Sequence, residues 1–254
     1  MIELHAWTYL LVFGVGLFAG LVDSIAGGGG IITLPVLLTL GLPPAVALGT
    51  NKLQASFGSV SAAWHYRGAG LVKFRSCGLC IVCTLVGAAI GALCVQRLDS
   101  SFLQKLIPWL LAGVVMYVIA RPKVGDEEHP PRMSQHAFFV VGGLLLGFYD
   151  GFLGPGTGSF WTMLLIAVLG MNFLRATATT KVMNATSNVT SLALFLANGS
   201  VNFGAGFVMG AGQLIGARLG SRLAVTRGAR FVRPIFLLMA IAVSARLLYV
   251  QLTR

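Results

Sequence analysis

Charge is what this sequence has least of. Only 10% of its 254 residues are Asp, Glu, Lys or Arg, where an ordinary soluble domain carries about a quarter. Acids are scarcest, 7 against 18 Lys and Arg. A soluble domain of this length cannot cover its surface with so few charges, which excludes an ordinary cytosolic enzyme. Disorder is excluded from the other side, because 56% of the residues are hydrophobic and mean hydropathy is +0.86. No Walker motif occurs, so the chain does not itself hydrolyse ATP. No strand precedes its glycine runs, so they do not belong to a dinucleotide fold. The start, Met1-Ile-Glu-Leu-His5, lacks a basic leader region and no A-x-A site follows, so the first apolar run is expected to stay as a membrane helix.

Cysteine is sparse too: Cys77, Cys80, Cys83 and Cys94. Three of them form a C-x-x-C-x-x-C run, but inside an apolar helix with no His or carboxylate beside it. Core packing is the expectation there, with no metal site. His5, His65, His129 and His136 show no ligand spacing and fall near segment ends or in the linker. No cofactor is expected. The net charge of +11 is spread over short loops with no basic domain, which points to membrane topology and an anionic ligand rather than nucleic acid.

What the chain does have is long uncharged runs. None of the four charged types occurs between Glu3 and Asp23, Asp23 and Lys52, Arg75 and Arg97, or Asp150 and Arg175, and the run between Lys181 and Arg218 is 36 residues. A helical span takes about 20 residues. The runs are continuous rather than alternating, so they predict helices and not a barrel. The fold class is an all-α integral membrane protein of about eight spans, with broken or re-entrant segments in addition.

The two halves resemble each other. Gly20, Asp23 and Gly27 match Gly147, Asp150 and Gly154 at an offset of 127, while Gly41, Ala47 and Lys52 match Gly170, Ala176 and Lys181 at 129. The first repeat covers 1–120, a Pro-containing polar linker 121–136, and the second repeat 137–254. Segments are expected over 7–23, 31–40, 45–65, 76–96 and 103–120, then 137–151, 158–170, 175–197, 203–221 and 231–250. Loops 66–75 and 222–233 are basic, whereas their counterparts 198–204 and 97–105 are poor in charge. Parallel repeats would put equivalent loops on one side, so the repeats are inverted, with loops 66–75, 121–132 and 222–233 cytoplasmic and both termini outside. Inversion needs an odd number of crossings per half. The short segments 31–40 and 158–170 either cross or re-enter.

Each half is interrupted inside apolar sequence, at Gly27 to Gly30 and at Gly154-Pro155-Gly156. Paired interruptions at matching positions mark a transporter binding site. The helix starts they create present free N–H groups and a positive dipole end to an anion, here Gly28, Gly29 and Gly30 and, in the second half, Gly156 and Thr157. Lys52 and Lys181 open the long segments that follow. An intramembrane ionisable residue is a functional candidate, although at a segment start it can also snorkel to the interface. Thr50, Asn51, Gln54, Thr180 and Asn184 supply hydrogen-bonding groups around the two lysines. Asp23 and Asp150 precede the breaks, where a carboxylate can carry a coupled proton, pair with a lysine or cap the next helix.

These residues carry a resemblance. Asp23-Ser-Ile-Ala-Gly-Gly-Gly-Gly30, Leu34-Pro35 and Ala47-Leu-Gly-Thr-Asn-Lys-Leu-Gln54 resemble the TauE/SafE sulfite-exporter family, in particular its YfcA-like branch, as do Gly147-Phe-Tyr-Asp150-Gly-Phe-Leu-Gly-Pro-Gly-Thr-Gly158 and Thr180-Lys181-Val-Met-Asn184. The resemblance implies a multi-pass permease of the bacterial inner membrane that moves sulfite, sulfonates or related sulfur anions, mostly outward. The partners it implies are a small anionic substrate, the bilayer and a coupling proton or ion. A secondary transporter is therefore expected. A passive anion channel and an intramembrane aspartyl enzyme are the alternatives.

Overall fold

The computed structural model describes residues 6–120 and 128–252, and among the described residues the regular structure is helical throughout. Helix α1 spans Ala6–Ala26 and gives way at Gly27 to the short α2, Gly29–Thr39. Helix α2 starts earlier than its expected first residue, which places Pro35 inside the helix rather than in its first turn. Helix α3, Pro44–Gly68, begins with proline at its first turn, where a missing N–H costs nothing. A 3-10 turn, Phe74–Cys77, leads into α4, Gly78–Val95, and α5 is Ser100–Ala120. Helix α6, Gln135–Phe152, is capped by the Ser134 hydroxyl, which accepts from Ala137 N–H at 3.3 Å. The second short helix, α7, is Thr157–Leu169. Helix α8, Phe173–Ala197, is capped by Asn172.

The last helix departs from expectation. Residues 222–233 were expected to be a basic loop between two segments, yet α9 runs unbroken over Phe203–Leu252. Arg, Leu and Ala propagate helix well, and no proline occurs in the segment before Pro234. Charge alone does not end a helix.

The exterior is apolar. On α4 the exposed side chains include Val82, Val86 and Ile90, and on α6 they include Val141, Leu144 and Leu145. The buried set holds Lys52, Lys181, Asp150, Asn51 and Asn184. A soluble protein sorts these the other way round, and an apolar belt of this kind faces lipid. Helices α1 (from Trp7) and α4 (with its leading turn) are long and apolar enough to cross a membrane. Helices α3 and α8, though 25 residues each, turn a polar face inward.

Small residues let two helix pairs approach closely. On α1, a Cβ at Gly16 or Gly20 would strike the carbonyls of Met209 or Gln213 on α9; on α9, one at Gly212, Gly216 or Gly220 would strike the backbone of α1. Gly143, Gly147 and Gly151 of α6 are likewise pressed on α4, and Gly87 and Gly91 of α4 on α6. Such spacing of four favours packing in lipid, where no hydrophobic force joins helices. Cys77 and Cys80 lie in the core cluster with Phe138 and Trp161, whereas Cys83 of the same run is half-buried and Cys94 is exposed.

Candidate functional site

Four helix ends meet in the interior: the end of α1 and start of α2, and the end of α6 and start of α7. Gly27 turns the first break with φ +70°, and Gly154 and Gly156 turn the second at +95° and +84°, a region that L side chains avoid. The breaks touch directly. A Cβ on Gly158 would sit 2.7 Å from Gly27 Cα. Ser159 on α7 donates across this contact to the carbonyls of Ala26 at 3.1 Å and Gly27 at 2.5 Å, supplying partners for carbonyls that the end of α1 leaves open.

The lysines stand over these breaks. Lys52 and Lys181 are each the ninth residue of a 25-residue helix, and their exposures are 1% and 0%. That burial excludes the snorkelling alternative. Buried ammonium groups need partners, since an unpaired charge in an apolar interior is very costly. Each lysine finds its carboxylate in the other half of the chain. Lys52 Nζ donates to Asp150 Oδ1 at 2.7 Å, to the Asp150 carbonyl at 2.5 Å and to Asn188 Oδ1 at 3.3 Å. Lys181 Nζ donates to Asp23 Oδ2 at 2.9 Å. The other oxygen of Asp23 accepts from Gly29 N–H at 3.1 Å, so this carboxylate both pairs with lysine and caps α2. Asp150 Oδ2 accepts from the Ser187 hydroxyl.

A cavity of about 30 Å³ lies between these elements, room for about two waters. Its walls are Asp23, Gly27, Gly28 and Gly30 from the first break, and Asp150, Gly154, Gly156, Thr157 and Gly158 from the second. Helix α3 adds Asn51, Lys52 and Ala55, α8 adds Asn184 and Asn188, and α9 adds Gln213. Asn51 already accepts at its carbonyl from Thr33 at 2.6 Å and Gln54 at 2.9 Å, which leaves its NH₂ to offer. The side-chain carbonyls of Asn184 and Gln213 are buried without a partner.

The residues singled out in the sequence therefore divide. Lys52, Asn51, Asn184, Gly28, Gly30, Gly156, Thr157, Asp23 and Asp150 converge on the cavity. The others stand behind it. Lys181 and Gly29 hold the two oxygens of Asp23. The Thr50 hydroxyl accepts from Asn202 N–H at 2.9 Å, at the start of α9. Thr180 shares a 3.0 Å hydrogen bond with Thr162, and Gln54 props Asn51 and Thr33. Gln213 and Ser187 were missed. Gln213 has only one signal in the sequence, a lone amide within the glycine-spaced run of α9. Ser187 has none beyond lying on the polar stretch of α8.

Comparison with known proteins finds relatives over nearly the whole chain. The chain is 42% identical over 241 residues to a probable membrane transporter protein of Haemophilus influenzae, covering 95% of this chain and 94% of that one. It is 42% identical to the probable membrane transporter protein YfcA of Escherichia coli, covering 94% and 89%. It is 40% identical to the probable membrane transporter protein ORF9 of a Sinorhizobium species, covering 96% and 93%. No solved structure matches it. The profile of the family described as sulfite exporter TauE/SafE matches residues 12–247. The chain belongs to that family, whose members are membrane transporters and not enzymes.

Proposed function

We propose that the protein is a secondary transporter of small sulfur-containing anions, sulfite or organosulfonates, working outward across the bacterial inner membrane. The observation that carries this reading is the pair of buried ion pairs, Lys52–Asp150 and Lys181–Asp23, each joining one half of the chain to the other beside the two helix breaks. The family's description supports the substrate class.

Inverted repeats over 1–120 and 137–254, joined by the linker 121–136, are part of the proposal, and equivalent contacts support them. The Thr33–Asn51 hydrogen bond maps onto Thr162–Thr180 at an offset of 129. Gly87 and Gly91 of α4 map at 129 onto Gly216 and Gly220 of α9, and Gly16 and Gly20 of α1 map at 127 onto Gly143 and Gly147 of α6. The difference of two residues falls between the breaks and Thr33 or Thr162. Helices α2 and α7, with 11 and 13 residues, reach about 16 and 20 Å. Both fall short of the roughly 30 Å hydrocarbon core on their own, so the odd crossing that inversion needs falls on each short helix together with the break and loop that flank it.

In this reading the substrate binds near the midplane, between the breaks. Lys52 meets it directly and the Asn51 and Asn184 amides orient it, with Gly28, Gly30 and Gly156 offering backbone N–H groups, while Thr157, whose N–H donates to the Gly154 carbonyl at 3.1 Å, shapes the second break. Lys181, Thr50, Gln54, Thr180 and Gly29 hold those groups in place. A cavity of about 30 Å³ is too small for a sulfur oxyanion, so the two repeats must move apart to admit one, which favours alternating access over an open pore.

Counterflow of labelled sulfite and methanesulfonate in proteoliposomes tests the proposal, with Lys52→Ala beside the wild type. Saturable counterflow by the wild type and its loss in the variant is the expected result. Wild-type counterflow that survives Lys52→Ala removes the site. Flux without saturation or counterflow replaces the carrier by a passive channel.

A further inference from the structure

The two ion pairs are equivalent in the sequence but not in their surroundings. Lys52 and Asp150 both line the cavity, whereas of the other pair only Asp23 does. An ammonium has three N–H donors, and Lys52 has spent all three, on Asp150 Oδ1, the Asp150 carbonyl and Asn188 Oδ1. An arriving anion can be received by Lys52 only if one of these acceptors gives way. The Asp150 carbonyl is fixed near the end of α6. The side-chain oxygens can leave, and the carboxylate is the one whose departure also settles the charge. Lys52, Lys181, Asp23 and Asp150 sum to zero, so one bound monoanion leaves a buried site at −1, a state that low-dielectric surroundings penalise heavily.

We infer that the substrate anion displaces the Asp150 carboxylate from Lys52 and that Asp150 takes up a proton as it leaves, so that one proton travels with each anion. This rests on the transport reading above and adds its coupling: movement of one proton with one monoanion is electroneutral, and it runs outward where the outward gradient of the anion exceeds the inward gradient of protons. The proton comes from the aqueous side open at the time and bonds to a carboxylate oxygen of Asp150. Lys52 stays an ammonium and exchanges one carboxylate for another anion, so the site is neutral before and after. The neutral acid keeps a partner. The Ser187 hydroxyl, which donates to Asp150 Oδ2, has a second acceptor in the Asn184 carbonyl at 3.1 Å. Its hydrogen turns to that carbonyl, and its oxygen then accepts from the protonated acid. The charged and titratable groups around Asp150 are Lys52 from α3, Asp23 across the cavity with Lys181 of α8 bonded to it, and Tyr149 beside it on α6, while α4 packs on this stretch of α6 with Thr84 and Ala88. Of these only Lys52 shares a hydrogen bond with its carboxylate. Lys181–Asp23 stays closed throughout, because Asp23 also caps α2.

The test is binding of methanesulfonate, whose own charge is constant, to the purified full chain over a range of pH. The expected dissociation constant rises about tenfold for each unit of pH wherever the occupied site holds one proton more than the free site, the slope for one linked proton. Calorimetry in two buffers of different ionisation enthalpy should find one proton taken up per anion, and this measurement needs no variant. In Asp150→Asn the pH slope vanishes and a proton gradient no longer drives accumulation. In Glu128→Gln, an exposed residue that is not part of the cavity wall, both persist. Binding by the wild type without proton uptake overturns the inference and leaves the carrier standing. A slope that survives Asp150→Asn and vanishes in Asp23→Asn assigns the proton to the other pair and overturns it as well. Failure of the folded wild type to bind methanesulfonate overturns the transport reading, and the inference falls with it.

Discussion

Removing Lys181 should destabilise the protein far more than removing both members of its pair. Lys181 is wholly buried, and the Asp23 side chain is 16% exposed with 2.9 Å between the charged atoms. Lys181→Met keeps the volume of the side chain and deletes the charge. It leaves Asp23 ionised against protein on most sides, and breaking a buried pair in this way costs about 3–5 kcal/mol. At about 2–4 °C per kcal/mol for a chain of this size, the midpoint of thermal unfolding in detergent should fall by about 6–20 °C. Asp23→Asn added to it removes the stranded charge, and asparagine still caps the Gly29 N–H. The double variant should recover to within about 1–2 kcal/mol of the wild type, because a buried pair replaced as a unit is often close to neutral. The readout is the double-mutant cycle. A loss of less than about 2 °C in Lys181→Met, or a double variant that loses the sum of the two single losses, would refute the claim that these side chains compensate each other.

Two further outcomes follow from the geometry. Gly158→Ala pushes a Cβ to 2.7 Å from Gly27 Cα, backbone that cannot step aside; the expected loss is about 1–3 kcal/mol, seen as a lower unfolding midpoint, while Gly68→Ala, with nothing within 4 Å, should lose nothing. Glu128→Gln breaks the Arg175–Glu128 pair of 2.9 Å, whose side chains are 54% and 49% exposed; the midpoint should move by no more than the equivalent of about 1 kcal/mol and less in high salt.

The parts of the site that were legible in the sequence were those that break a local rule. Glycines and charges inside apolar runs announced Gly27, Gly154, Asp23, Asp150, Lys52 and Lys181; the chain breaks in both places, the first over Gly27 and Gly28 only, because Gly29 and Gly30 already belong to α2. The pairing was not legible. Lys52 and Asp150 are 98 residues apart, and Lys181 and Asp23 are 158, and no local pattern tells which lysine meets which aspartate. The polar neighbours were overread for a similar reason. A helix distributes successive residues around its circumference, so of Thr50, Asn51 and Lys52 only the last two reach the cavity. The unbroken α9 was missed because basic residues were taken to mean a loop, although arginine favours helix.

The close fit of α1 on α9 has a consequence for synthesis. Gly16 meets Met209, so the groove that α1 needs leaves the ribosome about 190 residues after α1 itself. At roughly 5–20 residues per second that is a wait of about 10–40 s. During that interval α1 sits in the bilayer with its glycine track unfilled, and for the first 158 residues after it Asp23 is without Lys181. Nascent chains halted before α9 should therefore be the most vulnerable to membrane proteases, and the hold should end only when the last helix docks against the first.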